Sequence, residues 1–283
     1  MAKAFSVASW NVEHFGDSKN IHKINDCVQF MADQNPDIFA VYEVKSSRVF
    51  RPFMEAMPDH QFFITEGAQT QEIMVGVKKS MQAYITQKVQ FKSGQAALRP
   101  GVLVTVSVDG EYYPLLFLHL KSMNDPKGFG LRNDMITRAF DFRVVLNKAA
   151  KATANATGTT PKPVNYIFMG DLNTMGLNYY PRDVYDISSE GEIAELHRKC
   201  RYRDMRVLTK NHPFSYNNGS GSSIPKSNLD HVVAADHLQF KQFSGADVDM
   251  RGWNKETGIQ AQDDWVGKFS DHGLLYFEVQ KSN

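Results

Sequence analysis

Apolar residues in this chain fall into short runs closed by polar residues, and the runs show two periods. Residues 4–10 read as a strand ending at Asn11. Residues 21–34 carry Ile21, Ile24, Val28 and Met31 at helical spacing. Asn35-Pro36 stops that helix, because a residue before proline is pushed out of the α region. Ile38 to Tyr42 is a continuous apolar run capped by Glu43, as expected of a strand buried on both faces. Further strands are expected at 61–66, 72–78, 84–91, 101–108 and 114–120, so the middle of the chain is β-rich. Met135, Ala139, Phe142 and Leu146 line one face of a long helix over 132–152. Thr153 to Asn165 has the composition of a surface loop, and it leads into an apolar strand, Val164 to Met169, that ends at Gly170-Asp171. A second irregular stretch, 217–225, precedes a strand around Leu229 to Ala234.

Composition narrows the class. In 283 residues, 32 Lys+Arg face 31 Asp+Glu for a net charge of +1, with 42% hydrophobic and 12% aromatic content, which describes a globular chain and excludes a mainly disordered one. Near-neutral charge gives no global attraction to phosphates, so a nucleic-acid surface would have to be a local basic patch. Cys27 and Cys200 are the only cysteines, which excludes a disulfide framework and argues against a cysteine zinc site. No segment reaches about 18 apolar residues and the first residues lack a secretory signal, so the chain as written reads as cytoplasmic and not membrane-bound; removal of a signal peptide would make it secreted. The length would allow two domains. There is no internal repeat, however, and the chemistry-bearing residues run from Asn11 to His272, so cutting at either irregular stretch would divide one site. The expectation is a single domain over 1–283.

Those residues share a position: Asn11, Glu43, His119, Asp171 with Asn173, and Asp271-His272 all stand at or just beyond ends of apolar segments. An acid at the tip of a buried strand is partly desolvated unless it is paired or bound to a cation. The oxygen-rich, cysteine-free set of Asn11, Glu43, Asp171, Asn173 and Asp271 suits a hard ion such as Mg²⁺ or Mn²⁺. Two histidines, His119 and His272, suit proton transfer.

The ordered series Ser9-Trp10-Asn11, Glu43, Leu118-His119-Leu120, Gly170-Asp171-Leu172-Asn173, Leu229-Asp230-His231 and Ser270-Asp271-His272 resembles the endonuclease/exonuclease/phosphatase superfamily over nearly the whole chain. The resemblance implies an α/β fold, a four-layer α/β sandwich in which two mixed β-sheets pack face to face with helices outside, and phosphoester hydrolysis at the sheet ends. It further implies that Asn11 and Glu43 are metal ligands and Asp271 an acid close to the metal, which would be Mg²⁺, with Mn²⁺ or Ca²⁺ as alternatives. His272 matches the general base and Asp230 the acid that orients it. Asp171 and Asn173 match residues that orient water or bind the phosphate, and His119 the residue that steadies developing charge or protonates the leaving oxygen. A histidine at 119, where abasic-site endonucleases usually have tyrosine, is similar to pancreatic-type deoxyribonucleases, sphingomyelinases and inositol-phosphate 5-phosphatases. Glu72 resembles the acid that supports this histidine in the deoxyribonucleases. Glu43-Val44 followed by Arg48 resembles their phosphate-contacting segment, and Lys121 is a partial match to the basic residues of the inositol-phosphate enzymes. Arg48, Lys121 and Asn173 are thus the substrate-binding candidates.

Other features have plainer readings. His14, His22, His60, His197, His212 and His237 read as surface or core residues, and His231 should point to the opposite sheet face from Asp230. Lys45, Arg48, Arg51, Lys121, Lys127 and Arg132 form either a rim for a polyanion or an ordinary solvated face. The basic run from Arg198 to Arg206 would spread around a helix axis. Phe129, Tyr179, Tyr180 and Tyr216 either stack on bases or pack. The expected function is a monomeric, Mg²⁺-dependent phosphodiesterase, a deoxyribonuclease-like endonuclease with little sequence preference that acts on nucleic acid, DNA rather than RNA. The alternative is a phosphomonoesterase or sphingomyelinase-like hydrolase. A catalytically dead binding module is disfavoured because every core residue is present.

Overall fold

The computed structural model describes residues 2–67, 71–179 and 186–281. In chain order the elements are β1 (Lys3–Asn11), α1 (Ile24–Gln34), β2 (Ile38–Val44), α2 (Phe50–Ala56), β3 (His60–Ile64), β4 (Glu72–Lys78), β5 (Gln82–Lys88), β6 (Gly101–Val108) and β7 (Glu111–His119). There follow α3 (Pro126–Thr157), β8 (Ile167–Asp171), α4 (Ser189–Arg201), β9 (Met205–Val207), β10 (Asp230–Ala235), β11 (Asp249–Arg251), α5 (Ile259–Lys268) and β12 (Leu274–Gln280). The strands form two six-stranded sheets, ordered β11-β12-β1-β2-β4-β3 and β5-β6-β7-β8-β10-β9. Each sheet is mixed, with one parallel pair: β1 with β2, and β7 with β8.

Side-chain alternation builds the layers. Phe5, Val7, Ile38, Ala40 and Tyr42 from the first sheet meet Leu115, Phe117, Ile167, Met169, Val232 and Ala234 from the second in one buried core between them. The opposite faces bury separate cores: Ala8, Trp10, Phe39 and Val41 with α1, α2 and α5, and Leu116, Leu118, Phe168 and Val233 with α3 and α4. This is the four-layer sandwich that the sequence motifs implied.

The expected helix over 21–34 starts with a single 3₁₀ turn, Ile21–Lys23, and ends at Asn35, whose φ of 45° gives the left-handed cap. The long helix exceeds its expected span at both ends. Asp125 caps its first turn by accepting from Gly128 N at 2.7 Å, with Pro126 in the first turn, and the alanine-rich tail stays helical until Gly158 at φ 69°. The segment expected to loop from Thr153 therefore begins five residues later, at Gly158, than the composition suggests.

Candidate functional site at the paired sheet ends

The register of the second sheet places His119 opposite Asp171 and Asp171 opposite Asp230, a row of three polar tips across β7, β8 and β10. By alternation, all three side chains continue the rows that fill the core between the sheets. Gly170, at φ 136°, permits this row: a Cβ there would stand 2.0 Å from the Leu118 carbonyl and 2.7 Å from the Tyr42 hydroxyl. Asn11 ends the facing row on β1. Glu43 would face the outer helices by strict alternation, but the β2–β4 register breaks between Val41 and Val44 and Glu43 adopts φ 62°. That bulge turns the carboxylate into the cleft, where His14 N–H donates to it at 3.1 Å.

Asn11, Glu43 and Asp171 meet directly, with Asn11 Nδ2 donating to Asp171 at 2.9 Å and to Glu43 at 3.4 Å. The Asn11 Oδ1 atom is buried and has no partner among the described residues. His272 Nδ1 and Asp230 Oδ2 lie 2.7 Å apart, and the other ring nitrogen of His272 is 4.0 Å from Asp171 Oδ2. His119 Nε2 approaches the same Asp171 oxygen from another direction, at 3.5 Å, and Glu43 at 3.8 Å. Asp171 thus stands between two imidazoles. Asn173, at φ 51°, is braced by Asp171 through its own N–H at 3.0 Å and by the Leu120 carbonyl through its amide. Asp271 is tied to Asn11 through Ser270, whose hydroxyl donates to the Asn11 carbonyl at 2.8 Å and lies 3.3 Å from Asp271 Oδ1.

Burial sets the electrostatics. It raises the Asp171 carboxyl far above the usual carboxylate range, with neighbouring Asp230 and Glu43 adding to the effect against His272. Asp271 is raised by burial and by Glu13 and Glu43. His272 goes the other way: burial opposes its charged form, but Asp230 and Asp171 outweigh it and hold the imidazole well above its ordinary value. His119 is driven down by burial, then by Arg99 and His272. The two imidazoles are therefore poised differently, one basic and one neutral.

Asn11, Glu43 and the neighbouring acids fit a hard divalent ion: the carbonyl oxygen of Asn11 is an orphaned buried acceptor beside two carboxylates. Among the described residues, the three acidic or imidazole groups whose ligand atoms all lie within 4.8 Å of one another are Asp171, Asp230 and His272, a set that includes neither Glu43 nor Asp271.

Several expectations change. Glu72 does not reach His119. Its carboxylate is bonded by the Thr65 hydroxyl, while His119 Nδ1 has no partner among the described residues. Arg132, read as part of a basic rim or of a solvated face, is fully buried. It pairs with Glu192 through Nε at 3.0 Å and Nη2 at 2.9 Å, and donates to the carbonyls of Lys121, Met123 and Gly176. It holds the segments that follow His119 and Asp171 together and leaves no donor for a polyanion. Arg51 is occupied by Glu55 at 2.7 Å, whereas Arg48 is exposed in a short turn and Lys121 is half-buried. Tyr216 sets its ring 5.2 Å from that of His272; Tyr180 lies outside the described residues.

His14 was read as an ordinary histidine, yet its Nδ1 is 2.9 Å from Glu43, and Gln71 reaches the same oxygen at 3.3 Å. Arg99 was not singled out. It is half-buried, and its charge couples to Glu43, Asp171 and Glu72. The antiparallel register Val102↔Phe117, carried towards the strand end, brings Arg99-Pro100 alongside His119, so the hairpin itself held that signal.

Comparison with known proteins agrees with this architecture. TDP2 from Caenorhabditis elegans, in truncated form, superposes with a TM-score of 0.62 at 17% identity, covering 98% of each chain. D. rerio TDP2 complexed with single-strand DNA product gives 0.63 at 17% identity, covering 98% of this chain and 99% of that one. An endonuclease/exonuclease/phosphatase family protein from Leptotrichia buccalis gives 0.61 at 12% identity over 98% of this chain and all of the other. At such identities the likeness is one of fold. No curated protein matches the sequence significantly. Residues 8–272 match the Endonuclease/Exonuclease/phosphatase family, and with a match of that extent the chain belongs to it.

Proposed function

We propose that this chain is a divalent-metal-dependent phosphodiesterase that cleaves the nucleic-acid backbone, as an endonuclease with little sequence preference and with DNA favoured over RNA. The observation that carries the reading is the placement of His272, bonded to Asp230 at 2.7 Å, and His119 on two sides of Asp171, beside the orphaned oxygen of Asn11. In this reading Nδ1–H of His272 donates to Asp230, which leaves the Nε2 lone pair to take a proton from water. Asp230 then stabilises the imidazolium. His119, neutral and desolvated, donates a hydrogen bond to a phosphoryl oxygen or to the leaving oxygen, and Asn173 orients the phosphate. Asn11 and Glu43, with Asp271 behind Ser270, would hold a Mg²⁺ or Mn²⁺ ion, which supplies charge stabilisation for the phosphoryl oxygens. Arg99 and Arg48 supply positive charge for the flanking backbone. The solved relative bound to a single-strand DNA product supports a nucleic-acid substrate. No helix among the described residues is long and apolar enough to cross a membrane.

The test is nicking of supercoiled plasmid with Mg²⁺, with chelator, and with His272→Ala, run beside a phosphomonoester and sphingomyelin. Nicking that requires the metal and the imidazole is expected. Chelator-insensitive nicking, nicking that survives the substitution, or turnover of the phosphomonoester or sphingomyelin alone would refute the reading.

A further inference from the structure

Behind the Asp230 end of β10 lies a cavity of about 280 Å³ that shares no lining residue with the site described above. His231 alternates away from Asp230 and lines it, together with His197 from α4, Lys210, His212 and Asn228. No carboxylate is among its lining residues within the described part of the chain. We propose that this cavity binds a phosphate oxyanion, with Lys210 as its principal anchor.

The ammonium of Lys210 donates to Asn228 Oδ1 and, at 2.6 Å, to the Asp230 main-chain carbonyl, so one of its three N–H groups has no acceptor among the described residues. Among the described residues no carboxylate lies within ion-pairing distance of it, and the acid whose charge it feels, Asp230, is turned towards His272. Burial pushes this ammonium down to about 8. A half-desolvated cation without a counter-charge gains when an anion enters beside it.

Polar groups on the rest of the wall, which also carries Ile193, Val207, Leu208 and Pro213, fit the same ligand. Nδ1 of His212 is engaged by the Phe214 main chain and the Asn254 amide, so Nε2 is the nitrogen left for the cavity. The Asn228 Nδ2 group has no acceptor among the described residues, whereas its Oδ1 is held by Lys210. Nε2 of His231 lies 3.1 Å from the Asn228 carbonyl and 2.9 Å from the Thr174 hydroxyl, which places its proton there and leaves Nδ1 as an acceptor. A hydrogen phosphate offers oxygens to the donors and a P–OH proton to that nitrogen. A carboxylate, with two oxygens and no proton, satisfies fewer of them. The same chemistry is presented by free phosphate and by the monoester end of a nucleotide.

The experiment follows the histidine side chains of the ¹⁵N-labelled full chain by NMR during titration with inorganic phosphate and, separately, with thymidine 5′-monophosphate. The His197, His212 and His231 signals should move together and saturate. Lys210→Met should abolish the movement, and so should Asn228→Asp, which supplies the missing carboxylate without removing the lysine and serves if the first variant fails to fold. The signals of His119 and His272 report phosphate in the catalytic cleft and are read separately. A response to either ligand supports the site and identifies its source. Static signals for all three histidines up to tens of millimolar of both ligands, or movement that persists in the folded variants, would overturn it.

Discussion

Replacing Arg132 by methionine removes the cation that joins α3, α4 and the two segments leaving β7 and β8. The side chain is fully buried, so water cannot take over its role. Its loss strands the Glu192 carboxylate with Gly176 N–H at 2.7 Å as its remaining bond, and orphans the carbonyls of Lys121, Met123 and Gly176. Breaking a buried pair from one side costs about 3–5 kcal/mol, chiefly through the charge left behind. Urea unfolding followed by circular dichroism should show that loss for Arg132→Met. Arg132→Met combined with Glu192→Met should cost clearly less than the sum of the single changes, because no charge is then left unpaired. Arg132→Lys keeps the charge but not the fork, and should slow nicking by displacing His119 and Asn173. A loss below about 1 kcal/mol for Arg132→Met, or strict additivity in the double variant, would refute the view that one buried guanidinium fixes the cleft wall.

Asp230→Asn should leave folding cooperative and lower turnover by about 10²–10⁴-fold, measured as plasmid nicking rate, with the acid limb of the pH profile shifted to lower pH because the charge that raises His272 is gone. Asp37 is held below the ordinary carboxylate range: burial opposes ionisation, but bonds from Lys3, Lys78 and Ser6 outweigh it. Its contribution is therefore present above the unfolded value of about 4 and lost as pH falls through the folded one. Asp37→Asn should cost about 1–3 kcal/mol at pH 7 by urea titration, with the difference vanishing in strong acid. Burial pushes the thiols of both Cys27 and Cys200 up to about 12, so a disulfide reagent at pH 8 should label neither until the chain is unfolded.

The sequence was most legible where chemistry interrupts an apolar run. Asn11, His119 and Asp171 each end a strand and Asp230 begins one; the family resemblance implied that they meet at the sheet ends, and period-2 alternation was enough to turn His231 away from Asp230. Glu43 was legible as a residue but not in its orientation, because a bulge overrides alternation and nothing local announces one. Arg132 misled for a different reason. A charged residue on a mainly polar helix reads as solvated, and only the distant Glu192 and three carbonyls explain its burial. His14 and Gln71 gather round Glu43 from separate loops, a convergence that spacing does not encode. The alanine run to Ala156 carried helix propensity that the surrounding threonines and asparagine obscured. The three-residue strands β9 and β11 are too short for any period to show.

The strand order places β12 between β11 and β1, so residues 274–280 form the interior of a sheet whose β1 to β4 come from residues 3–78. His272 stands immediately before that strand. A polypeptide lacking residues 272–280 would expose the flank of β1 and lose the imidazole proposed as general base, however well the rest had collapsed. In the proposed mechanism the general base is thereby delivered by a pairing between segments far apart in sequence, and long-range pairing of this kind forms slowly.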